Sequence, residues 1–368
     1  ETKLGKHVIN IGDRRGKVFS GILSGFSQRC KAGTWCYEAG AMKLSSADAD
    51  WLYFFSLDYP FWHEVDFQGK IIDSLRLELF RIKYTEHDVP LGLNNVPAKR
   101  ISESSLASLE SSGFQSGSSC NSSLKDYTLN SDCKPIYYNA HEQEYFGMRI
   151  NWETPSWAVY ADIISNQGNR NYFLYDDRHN LDKRNISGGA AELQLSWKRT
   201  GDEFTFITMM AQGDDQLEDS SRNGTNYKRN LEGYFEIVPG AYRGTQFYFN
   251  GGSPELNSGT GLGRSINNTQ MNGLRYRYDI PETTSIYRFG IYQLKRLKPV
   301  INVLGNKASM IGNEWDNTFS IKIINHAQLD LDFNAFDPSE AFSYDDHTAS
   351  TGEKNLIFHF AGRLTYSF

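Results

Sequence analysis

No stretch of this sequence approaches the roughly 20 consecutive apolar residues that a membrane-crossing helix needs, which excludes a helical membrane protein. Proline is scarce at 10 residues, too few for a collagen-like or Pro-rich chain. There is no G-x-S-x-G nucleophile elbow, no phosphate-cradling glycine loop and no C-x-x-C pair. A cationic surplus is also missing. The 38 Lys+Arg stand against 44 Asp+Glu, a net charge of −6, which argues against a general nucleic-acid binder. The chain opens Glu1-Thr2-Lys3 with no basic or apolar leader region, as a mature chain whose signal peptide has been removed would.

What is abundant is aromatic side chains and glycine. Only 39% of the residues are hydrophobic, yet Tyr, Phe and Trp make up 14%, and Gly numbers 32. The aromatics fall on alternate positions. Leu356, Phe358, Phe360, Gly362, Leu364, Tyr366 and Phe368 share one parity, and His359, Arg363 and Thr365 the other. The same two-residue period recurs in Leu193/Leu195/Trp197 against Glu192/Gln194/Lys198, and again in Phe204/Phe206. Period-two alternation predicts half-buried strands. Tight links at Thr200-Gly201-Asp202, Pro239-Gly240, Pro281-Glu282-Thr283 and Asn325-His326-Ala327 alternate with long polar ones such as 212–229. Short turns on one rim and long loops on the other are the pattern of a transmembrane antiparallel β-barrel. Read back from the C-terminus, the pattern predicts an all-β fold of about 16 strands in one domain over residues 1–368, with about 14 to 18 compatible. Two of these strands are expected at 229–238 and 241–250. The location implied is the bacterial outer membrane, with short periplasmic turns and long extracellular loops.

Four cysteines form two local pairs, Cys30/Cys36 and Cys120/Cys133. Local disulfides in an oxidising compartment are the simplest expectation. The second pair would pin a long extracellular loop at about 85–142, whose segment 101–111 has weak helical spacing. No metal-ligand spacing occurs, and no cofactor is expected. Loop-bound calcium could be held at Asp214/Asp215 or at Asp345/Asp346 with His347, though neither segment has the spacing of a dedicated calcium loop.

If the apolar parity faces lipid, the opposite parity faces inward. It then carries Arg76 and Glu78 on one strand, Arg149 on the next, and Glu192 with Lys198 on another. Arg275 and Arg277 follow, then Glu314, Asp316 and Lys322, then Asp330 and Asp332, and finally His359 and Arg363. Charges of both signs cannot form a dry core, because unpaired buried charge costs several kcal/mol or more. They suit the wall of a wet channel. Arg275 and Arg277 are expected to meet Glu314 and Asp316, and Asp330 and Asp332 to meet Arg363. Inward Tyr160 and Tyr292, or loop Tyr172, Phe173 and Tyr175, could stack on sugar rings. No Ser/His/acid arrangement suggests an enzyme.

One segment carries a family resemblance. Gly312-x-Glu314-x-Asp316 opens a late strand, and Phe336-x-Pro338 with Phe342 closes the next. This resembles the C-terminal portion of the alginate-export family of Gram-negative outer-membrane barrels. The resemblance covers residues 311–368, with Ser339 where the family has glycine. It implies a passive channel through which a polysaccharide or oligosaccharide crosses the outer membrane. Alginate exporters are similar to larger barrels with an Arg-rich lumen, whereas this chain is shorter and its inward charges are mixed. The expected function is therefore an outer-membrane porin for polar saccharides, export of an exopolysaccharide included. The rival readings are a non-conducting surface lectin or anchor for extracellular polysaccharide and a general small-solute porin. The implied partners are outer-membrane lipid, a saccharide solute or polymer and periplasmic export machinery, with no nucleic acid.

Overall fold

The computed structural model describes residues 2–10, 17–18, 20–32, 35–43, 51–65, 71–85, 142–173, 181–213, 266–301, 306–324, 327–342 and 355–366, with shorter pieces at 89–90, 115–116, 128–129, 137–138, 230–234, 236–237, 242 and 244–249. Among these residues there is no helix. Fourteen long strands follow one another in chain order, each pairing antiparallel with the next. They are β1 (Thr2–Asn10), β2 (Ser20–Ala32), β3 (Trp35–Lys43), β4 (Trp51–Val65), β5 (Ile71–Thr85), β6 (Glu142–Glu153) and β7 (Trp157–Phe173). The second half comprises β8 (Leu181–Arg199), β9 (Asp202–Ala211), β10 (Thr269–Asp279), β11 (Ile286–Ile301), β12 (Lys307–Ile324), β13 (Ala327–Pro338) and β14 (Ile357–Tyr366). The path ends at β1 and β14, and no pairing joins these two among the described residues. Fourteen strands fall within the expected range of about 14 to 18, two fewer than the sixteen expected, and closure of the sheet is not among the described pairings.

The two strands that are absent from the wall are those expected at 229–238 and 241–250. Strand β9 pairs directly with β10, from Asp202 opposite Tyr278 to Ala211 opposite Thr269. The chain therefore leaves this sheet after Ala211 and rejoins it at Thr269, at neighbouring positions. Among the described residues between these points, Asn230–Glu232 adds a short parallel ladder to Asn185–Ser187 of β8. The physical reason lies in three consecutive aromatics. Phe247, Tyr248 and Phe249 are all buried. Successive side chains of a wall strand point to opposite faces, so one of the three would have to face outward. Burial of all three requires a segment surrounded on both sides.

The two faces of the sheet have inverted polarity. The outward parity carries Ile163, Phe358, Phe360 and Leu364, each more than half exposed. Glu314, Glu192, Asp162 and Arg149 on the other face are buried, with Glu314 at 0% exposure. A continuous exposed apolar surface of this extent has no place in water and suits the hydrocarbon of a bilayer. One row of cross-strand partners runs Trp157, Trp197, Phe204, Tyr276, Phe289, Asn317, Phe333 and Phe360, and is aromatic at all but one position. Trp197 stacks on Phe204 at 5.8 Å between ring centres, and Phe204 meets Tyr276 at 4.7 Å. Aromatic rows of this kind lie where membrane meets water.

Cys30 and Cys36 are free thiols, so the first expected disulfide is absent. In the β2–β3 pairing Cys30 lies opposite Tyr37 and Cys36 opposite Lys31. An offset of one residue places the two cysteines on opposite faces of the hairpin. The Arg29 Nε–H donates instead to Cys36 Sγ at 3.1 Å. Cys120, Cys133 and the segment 101–111 lie outside the described residues. Within 85–142 two short antiparallel ladders are present, Val89–Pro90 with Tyr137–Tyr138 and Gln115–Ser116 with Thr128–Leu129. One is nested inside the other, as in a long hairpin.

The polarity of the outer face is tested by Ile163→Arg near the middle of β7. The substitution is expected to lower stability in lipid vesicles by about 2–4 kcal/mol, read from denaturant titrations, because a cation then replaces an apolar side chain in hydrocarbon.

Candidate functional site

The inner face is organised by register. Asp58 of β4, Glu78 of β5, Arg149 of β6, Asp162 of β7 and Glu192 of β8 are successive cross-strand partners. Like charges directly opposite one another destabilise a sheet, and this row holds four carboxylates and one arginine. Arg149 Nη1 reaches Glu78 Oε2 at 2.7 Å, and Arg76 pairs with Asp58. Asp162 and Glu192 obtain their cation from outside the wall. Lys17, in the link between β1 and β2, is fully buried, with Nζ 2.5 Å from Asp162 Oδ2 and 2.7 Å from Glu192 Oε2. Its ammonium also lies 5.5 Å from the Tyr160 ring centre and 5.9 Å from that of Tyr242, within cation–π range.

Lys17 is held by a second inner piece. The Tyr234 hydroxyl donates to the Lys17 carbonyl at 2.8 Å, and the Ile237 N–H donates to the Val18 carbonyl at 3.3 Å. The Gly233 N–H donates to Ser187 O on β8 at 2.9 Å. A Cβ on Gly188 would lie 2.2 Å from the Gly233 carbonyl carbon, so glycine there is what allows the two backbones to approach. The Tyr242 hydroxyl then donates to Glu192 Oε2 at 3.0 Å.

Further along, the inner segment is clamped by β12. Glu314 accepts the backbone N–H groups of Phe247 at 2.7 Å and Tyr248 at 3.1 Å, and Asp316 accepts that of Gln246 at 2.8 Å. Two carboxylates at i and i+2 of one strand share a face, and three successive amides meet them. The Gly-x-Glu-x-Asp spacing thus anchors a segment inside the sheet. Phe247 packs against Phe336 and His359, at 6.2 and 5.2 Å between ring centres.

The expected inward residues share this face but divide by surroundings. Arg149, Glu192, Glu314 and Asp316 are buried against the inner pieces. Glu78, Lys198, Arg275, Asp330, Asp332 and His359 are half-buried, and Arg76, Arg277, Lys322 and Arg363 are exposed. Asp330 lies opposite Arg363, as expected, while Asp332 accepts from the Thr318 hydroxyl at 2.7 Å. β11 lies between β10 and β12, so Arg275 and Arg277 form no direct ion pair with Glu314 or Asp316 among the described residues; Arg275 and Asp316 face one another across Gly290 and interact only through space. Arg275 donates instead to the Tyr292 hydroxyl at 2.9 Å and the Gly244 carbonyl at 3.2 Å, and Arg277 pairs with Asp279 at 2.9 Å. Tyr292 is buried and Tyr160 hydrogen-bonds Asp162, so neither ring is a bare stacking platform. The side chains of Tyr172, Phe173 and Tyr175 lie outside the described residues, as do both segments considered for calcium. Among the described residues no group of three or more His, Cys, Asp or Glu side chains could hold a metal ion.

Fold and polarity define a class: an all-β membrane protein that resembles outer-membrane barrels. No family model and no curated protein matches the chain. The resemblance of residues 311–368 to alginate exporters therefore finds no counterpart among family models. Similarity to solved structures is found at low identity and low structural overlap. The monoaromatic hydrocarbon channel CymD matches at 11% identity and a TM-score of 0.32, over 92% of this chain and 82% of that one. Salmonella typhi OmpF, in complex with daunomycin, matches at 9% and 0.33, over 99% and 95%. The siderophore receptor PiuA from Acinetobacter baumannii matches at 7% and 0.39, over 88% of this chain but only 47% of the receptor.

Removing the cation of the buried triad tests its role. Lys17→Met leaves Asp162 and Glu192 facing one another and is expected to cost about 3–5 kcal/mol in denaturant titrations of the folded protein. Replacing Asp162 and Glu192 by Leu as well should recover much of that loss.

Proposed function

We propose that this protein is an outer-membrane channel for passive passage of small polar solutes, saccharides among them, with a resting path narrowed by its own inner segment. The observation that carries the reading is the inversion of polarity between the two faces of the sheet. An apolar exterior suits lipid, and an interior holding charges of both signs suits water and polar cargo. The charges of the described inner face are engaged with one another and with backbone amides, which suits a channel wall and supports the reading of a transporter. The anchoring of residues 17–18, 233–234, 237, 242 and 246–248 across the inner face favours small solutes over a polymer, which would need a continuous wide path. In this reading the short turns face the periplasm and the long links the exterior.

Planar-bilayer recording of the refolded chain is the test. The wild-type protein is expected to conduct weakly, and Lys17→Met and Glu314→Gln, each of which removes an anchor of the inner segment, to raise the mean conductance. A bilayer that stays silent with the wild type and with both variants would refute the channel and favour a surface anchor.

A further inference from the structure

Between the inner segment and the wall on the short-turn side lies a cavity of about 220 Å³. Its charged lining comes from four consecutive strands: Glu203 of β9, Arg275 and Arg277 of β10, Arg288 of β11 and Asp316 of β12. Arginines on the two central strands are thus flanked by a carboxylate on either side. Arg277 is neutralised by Asp279. Arg275 and Arg288 are not neutralised in this way. Arg275 donates to the neutral Tyr292 hydroxyl and Gly244 carbonyl, and Arg288 to the Ser320 hydroxyl at 2.8 Å; neither forms an ion pair at bonding distance among the described residues, although Arg275 feels the charge of Asp316 across Gly290. On the opposite side Asp316 is 4% exposed, and its Oδ1 has no hydrogen-bond partner among the described residues.

Arg288 lies opposite Thr318, and Gly290 opposite Asp316, so Arg288 and Asp316 are diagonal neighbours. Diagonal positions on adjacent strands are about 7–8 Å apart, close enough for long side chains to touch. These two do not form an ion pair. A cation and a carboxylate held apart over a cavity leave a gap for a molecule bearing the complementary pair of charges. The volume is large enough to admit one small molecule with an anionic and a cationic group a few bonds apart.

We propose that this cavity binds a small zwitterion of the amino-acid type, its carboxylate on Arg275 and Arg288 and its ammonium on Asp316. Binding does not depend on the channel reading; only the ligand's standing as a permeant rests on it. A purely anionic ligand would leave Asp316 facing a like charge, and a purely cationic one would leave both arginines without an anion.

The test is isothermal titration of the full chain in detergent micelles with L-alanine, propionate and ethylammonium. Alanine is expected to bind at least about ten-fold more tightly than either half-molecule, since each lacks one charge-assisted bond. Arg288→Gln, which touches none of the anchors of the inner segment, should weaken alanine binding about ten- to hundred-fold. Asp316→Asn should abolish the preference for alanine over propionate. No alanine binding, equal binding of alanine and propionate, or an Arg288→Gln variant that binds as the wild type does would each overturn the proposal. Alanine binding by a chain that never conducts keeps the site and removes the channel; conductance without alanine binding does the reverse.

Discussion

Two carboxylates placed directly opposite one another on adjacent strands, with no room for water, need a shared cation. Asp162 and Glu192 are such a pair, and Lys17 supplies the charge. Much of the interior follows from that contact. Lys17 and Val18 lie against the inner face, and the Lys17 carbonyl is the acceptor for Tyr234. Tyr234 belongs to the segment that runs on to Tyr242, which also bonds Glu192. One lysine thus ties together the wall and two inner pieces from distant parts of the chain. Full desolvation makes the contact costly to break, because removing the cation strands two buried anions.

The second anchor uses a different donor. Glu314 takes up two backbone amides and Asp316 one, at its Oδ2, rather than a side-chain cation. Amides that would otherwise enter a strand ladder are taken up by wall carboxylates, so residues 246–248 can lie inside without a neighbouring strand. Here polar satisfaction, rather than hydrophobic packing alone, decides where the segment rests. The aromatic cluster of Phe247, Tyr248, Phe249, Phe336 and Phe342 then fills the space around the clamp.

The wall was largely legible in the sequence. Alternation at Phe358 and Phe360, at Leu195 and Trp197, and at Phe204 and Phe206 identifies the outward face, because lipid on one side and polar surroundings on the other impose a strict period of two. The turns at Gly201 and at Pro281–Thr283 mark strand ends for the same local reasons. The inner segment was misread as two further strands, although Phe247-Tyr248-Phe249 carried a signal: aromatics at successive positions cannot all avoid a wet lumen in a wall strand. Lys17 carried none. Its partners lie 145 and 175 residues away, and a single lysine after Gly16 looks like any other loop lysine. The expected Cys30–Cys36 bond failed on parity, which depends on a register that spacing alone does not set.

The inner segment leaves the sheet at Ala211 and returns at Thr269, residues that face one another across the same pair of strands. Both of its ends are therefore fixed to the wall that it packs against. If its anchors let go, the freed stretch stays confined near its own docking site, at an effective concentration set by its length rather than by the amount of protein present. Resealing is then a first-order event. Its rate is the same for one isolated molecule as for a densely packed membrane, and no dilution can keep it from returning.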